Sequence, residues 1–163
     1  MRSAALFVAG LLVGAACSVV ALAQTVSPGS VRGVNHVGIN VANYDQALAF
    51  YTKTLGIREA YTVKNADGTP RLTYLQLSRD TFIELIPAAA GQATGLSHIG
   101  IEVDDIDAAV ARFRQAGLTP QNPALTPAKA RYTRINDKDG VQLEVMQFGP
   151  DSLQRKAIDA WKP

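Results

Sequence analysis

NHVGINVANYDQALAFYTKTLGI, residues 35–57, decides the fold because a second version of it follows in the same chain. SHIGIEVDDIDAAVARFRQAGL, residues 97–118, lies over it at an offset of 62. His36 then falls on His98, Gly38 on Gly100, Val41 on Val103, Asp45 on Asp107 and Ala47 on Ala109. Further on, RLTYLQL (71–77) lies over RYTRIND (131–137) and TFIELI (81–86) over VQLEVM (141–146), now at an offset of 60, so Glu84 falls on Glu144. Self-similarity of this length marks a duplication, with two short length differences between the copies.

Each copy reads as βαβββ. A strand comes first, 34–41 and 97–103, with alternating apolar residues. A helix follows, Tyr44 to Leu55 in one copy and Ile106 to Ala116 in the other. Asn43 and Asp104 or Asp105 are its N-cap candidates, and Gly56 and Gly117 its stops. Three more strands are expected near 57–64, 71–77 and 81–87, then a weak 118–122, 131–136 and 141–147. ADG (66–68) and KDG (138–140) are the turns between them. The fold class is therefore α+β: two βαβββ modules, 33–87 and 97–147, forming one cupped mixed sheet. PAAAGQATG (87–95) links the modules. NPALTPAK (122–129), with two prolines, reads as a loop able to cover a site. The tail 148–163 reads as a capped helix with Leu153, Ala157 and Trp161 on one stripe, docking on the domain or on a second subunit rather than building the site.

Strand alternation then assigns faces. Val37, Ile39 and Val41 point to the helices, as do Ile99, Ile101 and Val103, so His36 and His98 point into the cup. Ile83 and Leu85, like Leu143 and Val145, take the helix face, which sends Glu84 and Glu144 into the cup as well. The chain has only two histidines, and they occupy the same place in both copies. A pseudo-two-fold axis would gather His36, Glu84, His98 and Glu144 into one His₂Glu₂ set. Imidazole and carboxylate together suit a divalent first-row ion such as Zn, Ni, Co, Mn or Fe. With both histidines engaged, no Ser-His-Asp or Cys-His arrangement remains. The same alternation sends Tyr74 and Gln76 into the cup from one half and Arg134 and Asn136 from the other. These four are the candidate substrate contacts.

The first 23 residues stand apart from this pattern. Met1-Arg2 is followed by an apolar run from Ala4 to Val20 and by Ala21-Leu22-Ala23 before Gln24, which reads as a cleaved secretory signal. An uncleaved anchor, or a lipoprotein box at Cys17, are the competing readings. Cleavage after Ala23 removes the chain's one cysteine and one of its 16 Lys and Arg residues, against 14 Asp and Glu. The mature protein is then expected to be secreted or periplasmic, without thiol chemistry or membrane attachment. Its balanced charge gives no footprint for nucleic acid.

These residues carry a resemblance. NHVGINVANYDQALAFYTKTLGI, TFIELIP, LSHIGIEVDDIDAAVARFRQAGL and DKDGVQLEV resemble the vicinal oxygen chelate superfamily, which includes glyoxalase I, methylmalonyl-CoA epimerase, the bleomycin resistance proteins and the extradiol dioxygenases. The resemblance covers about residues 33–147, and its metal positions carry over onto His36, Glu84, His98 and Glu144. It implies a small-molecule substrate and a possible homodimer, with the site inside one chain or across a swapped pair. Four protein ligands are similar to glyoxalase I and the epimerase, whose reactions move a proton next to a carbonyl. A metal-dependent lyase or isomerase is the implied activity, with Glu144 or Glu84 as base and Glu102 a weaker candidate. Asn40 and Ala88 stand where glyoxalase I carries glutathione-binding Arg and Asn, which argues against glutathione. A non-enzymatic binding or sequestering protein and an extradiol-type dioxygenase are the alternatives.

Overall fold

The computed structural model describes residues 27–162, so the expected signal segment, 1–23, lies outside the described residues. The elements run β1 (Val31–Val41), α1 (Tyr44–Ala49), β2 (Arg58–Lys64), β3 (Pro70–Gln76), β4 (Phe82–Pro87), β5 (Gly95–Val103), α2 (Ile106–Gln115), β6 (Ala124–Leu125), β7 (Arg131–Asn136), β8 (Gln142–Gln147) and α3 (Leu153–Asp159). Eight strands form one curled sheet in the order β2-β3-β4-β1-β5-β8-β7-β6. β1 runs parallel to β4 and β5 parallel to β8, while β1 and β5 meet antiparallel at the seam between the two halves. The cup is therefore continuous within a single chain.

Local chemistry sets the helix ends. Asn43 accepts from Gln46 N at 3.0 Å, and Asp105 accepts from Asp107 N and Ala108 N, so Asp105 rather than Asp104 is the cap of α2. Gly56 (φ +70°) and Gly117 (φ +83°) close the two helices in the left-handed region, where a side chain would be strained. The expected helix over 44–55 changes character halfway: Phe50–Thr54 is a π-helical turn. Thr52 Oγ1 donates to Leu48 O at 2.7 Å, a hydroxyl back-bond of the kind that bends helices.

Two apolar layers sandwich the sheet. On the convex side Val103 and Val145 pack with Ile106, Ala109 and Val110 of α2. On the concave side Tyr74, Phe82, Met146 and Phe148 pack with Ala157 and Ile158 of α3. Two expectations need correction. The strand near 118–122 does not form; Pro120 and Pro123 lack N–H groups for a ladder, and pairing is confined to two residues, Ala124–Leu125, inside the stretch read as a loop. The tail helix buries Gln154, Ala157 and Ile158, while Leu153 is half-exposed. Ser152 caps it and Leu153 N donates to Ala128 O at 2.9 Å, a pair of anchors that sets its rotation.

Candidate metal centre

The site is built from two adjacent rows across the sheet. In one row the register sets Tyr74 beside Glu84, Glu84 beside Gly38, and Gly38 beside His98. In the next it sets His36 beside Gly100, Gly100 beside Glu144, and Glu144 beside Arg134. A glycine thus lies between each histidine and the glutamate of its row. A Cβ on Gly38 would stand 2.2 Å from His98 Cε1, and one on Gly100 would stand 1.9 Å from His36 Nδ1. Each imidazole lies over bare backbone and leans toward the other row. Residues two apart on a strand are about 7 Å apart, a gap that side chains from neighbouring rows can close.

They do close it. His36 Nε2 and His98 Nε2 are 2.9 Å apart, His98 Nε2 and Glu84 Oε2 3.1 Å, and His36 Nε2 and Glu144 Oε2 3.5 Å. One ligand atom from each of His36, Glu84, His98 and Glu144 lies within 4.8 Å of all the others. All four side chains are buried, His36 completely. Asn35 Oδ1 accepts from His36 Nδ1 in the tautomer that leaves Nε2 bare, and Ser97 Oγ stands 3.2 Å from His98 Nδ1. Asn35 and Ser97 are themselves equivalent in the duplication, a signal present in the sequence but not read from it.

These residues fit a divalent ion. Donors bound at about 2.0–2.2 Å lie roughly 3 Å apart at right angles and roughly 4.2 Å apart across the ion, and the separations that involve a histidine here run from 2.9 to 3.8 Å. With each ring protonated on Nδ1, the two Nε2 lone pairs face each other and Glu84 Oε2, 3.1 Å from His98 Nε2, is buried with no hydrogen-bond partner among the described residues, an arrangement that calls for a cation between them. Burial alone would raise the Glu144 carboxyl, but bonding and charge from His36, then His98 and Arg134, outweigh it and hold the group below its ordinary value. Arg134 donates to Glu144 Oε1 at 3.0 Å, leaving Oε2 for the cluster.

A cavity of about 440 Å³ opens onto the cluster. Tyr74 and Arg134 reach it, as the strand alternation predicts; the loop residues Leu125 to Ala128 also line it. Gln76 does not. Its amide donates to the Arg79 and Ala157 carbonyls at 2.8 and 3.2 Å and fastens α3 to the sheet. Asn136 is exposed in a neighbouring depression with Gln121 and Gln142. Both lie two residues beyond a cavity residue on their strand, about 7 Å toward the rim, so alternation places them on the correct face at the wrong height. Glu102 pairs with Arg155 at 3.4 Å and lines a separate depression. Asn40 gives its amide to the Ala93 carbonyl.

Three contributors escape the sequence reading. Gln154, on the tail helix expected to stay out of the site, lines the cavity. Arg71 lines it from the start of β3. Tyr61 stacks on Tyr74 with ring centroids 4.9 Å apart, and burial, then the Glu84 and Glu144 charges, push its phenol well above the ordinary tyrosine value.

The chain is similar to several known proteins. The chain is 34% identical to the 2-epi-5-epi-valiolone epimerase of an Actinomyces species, over 83% of this chain and 91% of that protein. It is 30% identical to the protein YaeR of Escherichia coli (strain K12), over 72% of this chain and 97% of that one. Among solved structures, methylmalonyl-CoA epimerase from Mycobacterium tuberculosis superposes with a TM-score of 0.65 at 26% identity, over 78% of this chain and 95% of the other. Residues 33–145 match the model of one family along most of the chain, and with the buried His₂Glu₂ cup this establishes that the protein belongs to the Glyoxalase/Bleomycin resistance protein/Dioxygenase superfamily.

Proposed function

We propose that the protein is a metal-dependent isomerase of the epimerase kind, moving a proton on and off a carbon next to the carbonyl of a small substrate. The observation that carries this reading is the buried His36, Glu84, His98 and Glu144 group with the unpartnered Glu84 Oε2. A divalent ion held by these four residues would supply Lewis acidity to a substrate carbonyl. The two carboxylates are set up differently. Glu144 is neutralised by Arg134 and serves as an anchor. Glu84 has no such arginine partner among the described residues and is the carboxylate positioned to take the proton and return it. Tyr74 and Met146 wall the cavity beside it. Two relatives named as epimerases support the isomerase reading over a lyase.

Solvent exchange tests the proposal. Metal-loaded protein with an α-hydroxy ketone in deuterated water should place deuterium on the α-carbon, followed by NMR. Glu84→Gln, with its metal content measured alongside, should lose at least tenfold of that rate, in line with general base catalysis. Oxygen uptake with an aromatic diol, or stoichiometric binding without exchange, would overturn it. The proposal includes export: protein from its native host should begin at Gln24 by intact mass, and a species retaining Met1 to Ala23 would overturn that part.

A further inference from the structure

Gln154 is unusual among the residues lining the cavity. It is 1% exposed, yet its Oε1 has no hydrogen-bond partner among the described residues. A buried amide oxygen without a donor destabilises the fold, so its retention at a cavity wall points to a partner that arrives with a ligand. The position is rigid. Ser152 caps α3, Leu153 N ties it to Ala128, Gln76 holds its Ala157 carbonyl, and Ala157 and Ile158 pack against the concave core. The Gln154 side chain also hydrogen-bonds the Tyr74 hydroxyl through its amide nitrogen, which fixes the amide and leaves Oε1 as its one unpaired atom, and it lines the cavity that His98, Glu84 and Glu144 also line. The helix starts beyond residue 145, where the superfamily match ends.

The chemistry of the vacant partner follows. An amide oxygen accepts, so the ligand must bring an O–H or N–H to it. The metal group, by the reading above, takes the carbonyl end of the same molecule. A cavity of about 440 Å³ lies toward the small end of the ligand-site range, about 300–1,000 Å³, and suits a compact molecule. Arg71 and Arg134 line the same space and can donate to hydroxyl oxygens. We propose that Gln154 makes this site selective for polyhydroxylated α-hydroxy ketones, its Oε1 accepting from a substrate hydroxyl remote from the reacting carbon. This rests on the proton-transfer reading for the end of the substrate at the metal, and not for the hydroxyl end. A site with a buried acceptor rejects an analogue that lacks the matching hydroxyl, because the acceptor is then left unpaired.

The test pairs two probes with the same ring and reacting end: myo-2-inosose, with hydroxyls around the ring, and 2-hydroxycyclohexanone, with one. Affinities for the metal-loaded full protein are measured by titration calorimetry. Wild type should favour the inosose by tenfold or more. Gln154→Leu should lose that preference while keeping its metal content and its affinity for 2-hydroxycyclohexanone. Gln154→Glu, which keeps an acceptor, should retain the preference, and Gln154→Met serves if the leucine variant fails to fold. No preference in wild type, an equal preference in the leucine or methionine variant, or binding of neither probe overturns the proposal. Deuterium exchange of both probes is read in parallel. Exchange without a Gln154-dependent preference sinks this proposal and leaves proton transfer standing, whereas the preference without exchange does the reverse.

Discussion

Gly100 contributes no side chain, yet His36 depends on it. The two are paired across the β1–β5 seam, and a Cβ on Gly100 would fall 1.9 Å from His36 Nδ1 and 2.0 Å from Cε1. The ring is completely buried and bonded to Asn35, so it cannot swing aside without giving up its place in the cluster. Gly100→Ala should therefore lower divalent-metal affinity by about 10–100-fold, the range seen when a ligand's supporting partner is lost, with every ligand still present. Gly33→Ala is the control, since a Cβ there meets nothing within 4 Å. Competition against a chromophoric chelator measures both. Wild-type affinity in Gly100→Ala would mean that His36 is not a ligand.

Elements are tied together by chemistry that can be switched off one pair at a time. Arg131 of β7 grips Asp107 in the first turn of α2 through two hydrogen bonds of 2.8 and 2.9 Å. The Arg131 guanidinium holds the Asp107 carboxyl below its ordinary value. A depressed carboxylate stabilises the fold above its unfolded value of about 3.9 and stops doing so as pH falls through the folded value. Wild type should thus melt above Arg131→Ala at neutral pH, by at most a few degrees because the pair is exposed. The gap should shrink below about pH 4 and narrow further in high salt. Melting curves of chelator-treated protein across pH 3–7 check this, and a gap that persists at the acid end would assign the effect to the lost arginine stem.

At the scale of the whole molecule, all four candidate ligands come from one chain and from both halves of it. One ion per chain is therefore expected, with an affinity independent of protein concentration. Metal present at a hundred times its dissociation constant should add about 2.7 kcal/mol of stability, or roughly 5–10 °C in Tm for a domain of this size. Elemental analysis across a dilution series and melting with and without chelator supply the readings. A stoichiometry of one ion per two chains would place the site between subunits.

The duplication, the βαβββ modules and the inward-facing His36, Glu84, His98 and Glu144 were legible in the sequence, because period-2 alternation and self-similarity are local properties of the chain. Their heights were not. Tyr74 and Gln76 share a face by alternation, yet only Tyr74 reaches the cavity while Gln76 fastens α3. The matched glycines of the two His-x-Gly motifs were visible, but their purpose depends on the antiparallel register that lays each under the other half's histidine. The tail helix was readable as amphipathic; which stripe turned inward was decided by the Ala128 contact and by a concave core that needed covering. Local pattern determines which element forms and which face is apolar. Pairing partners, register and helix rotation are set by contacts between residues far apart in the chain, and those placed Gln154, Tyr61 and Arg71 around the site.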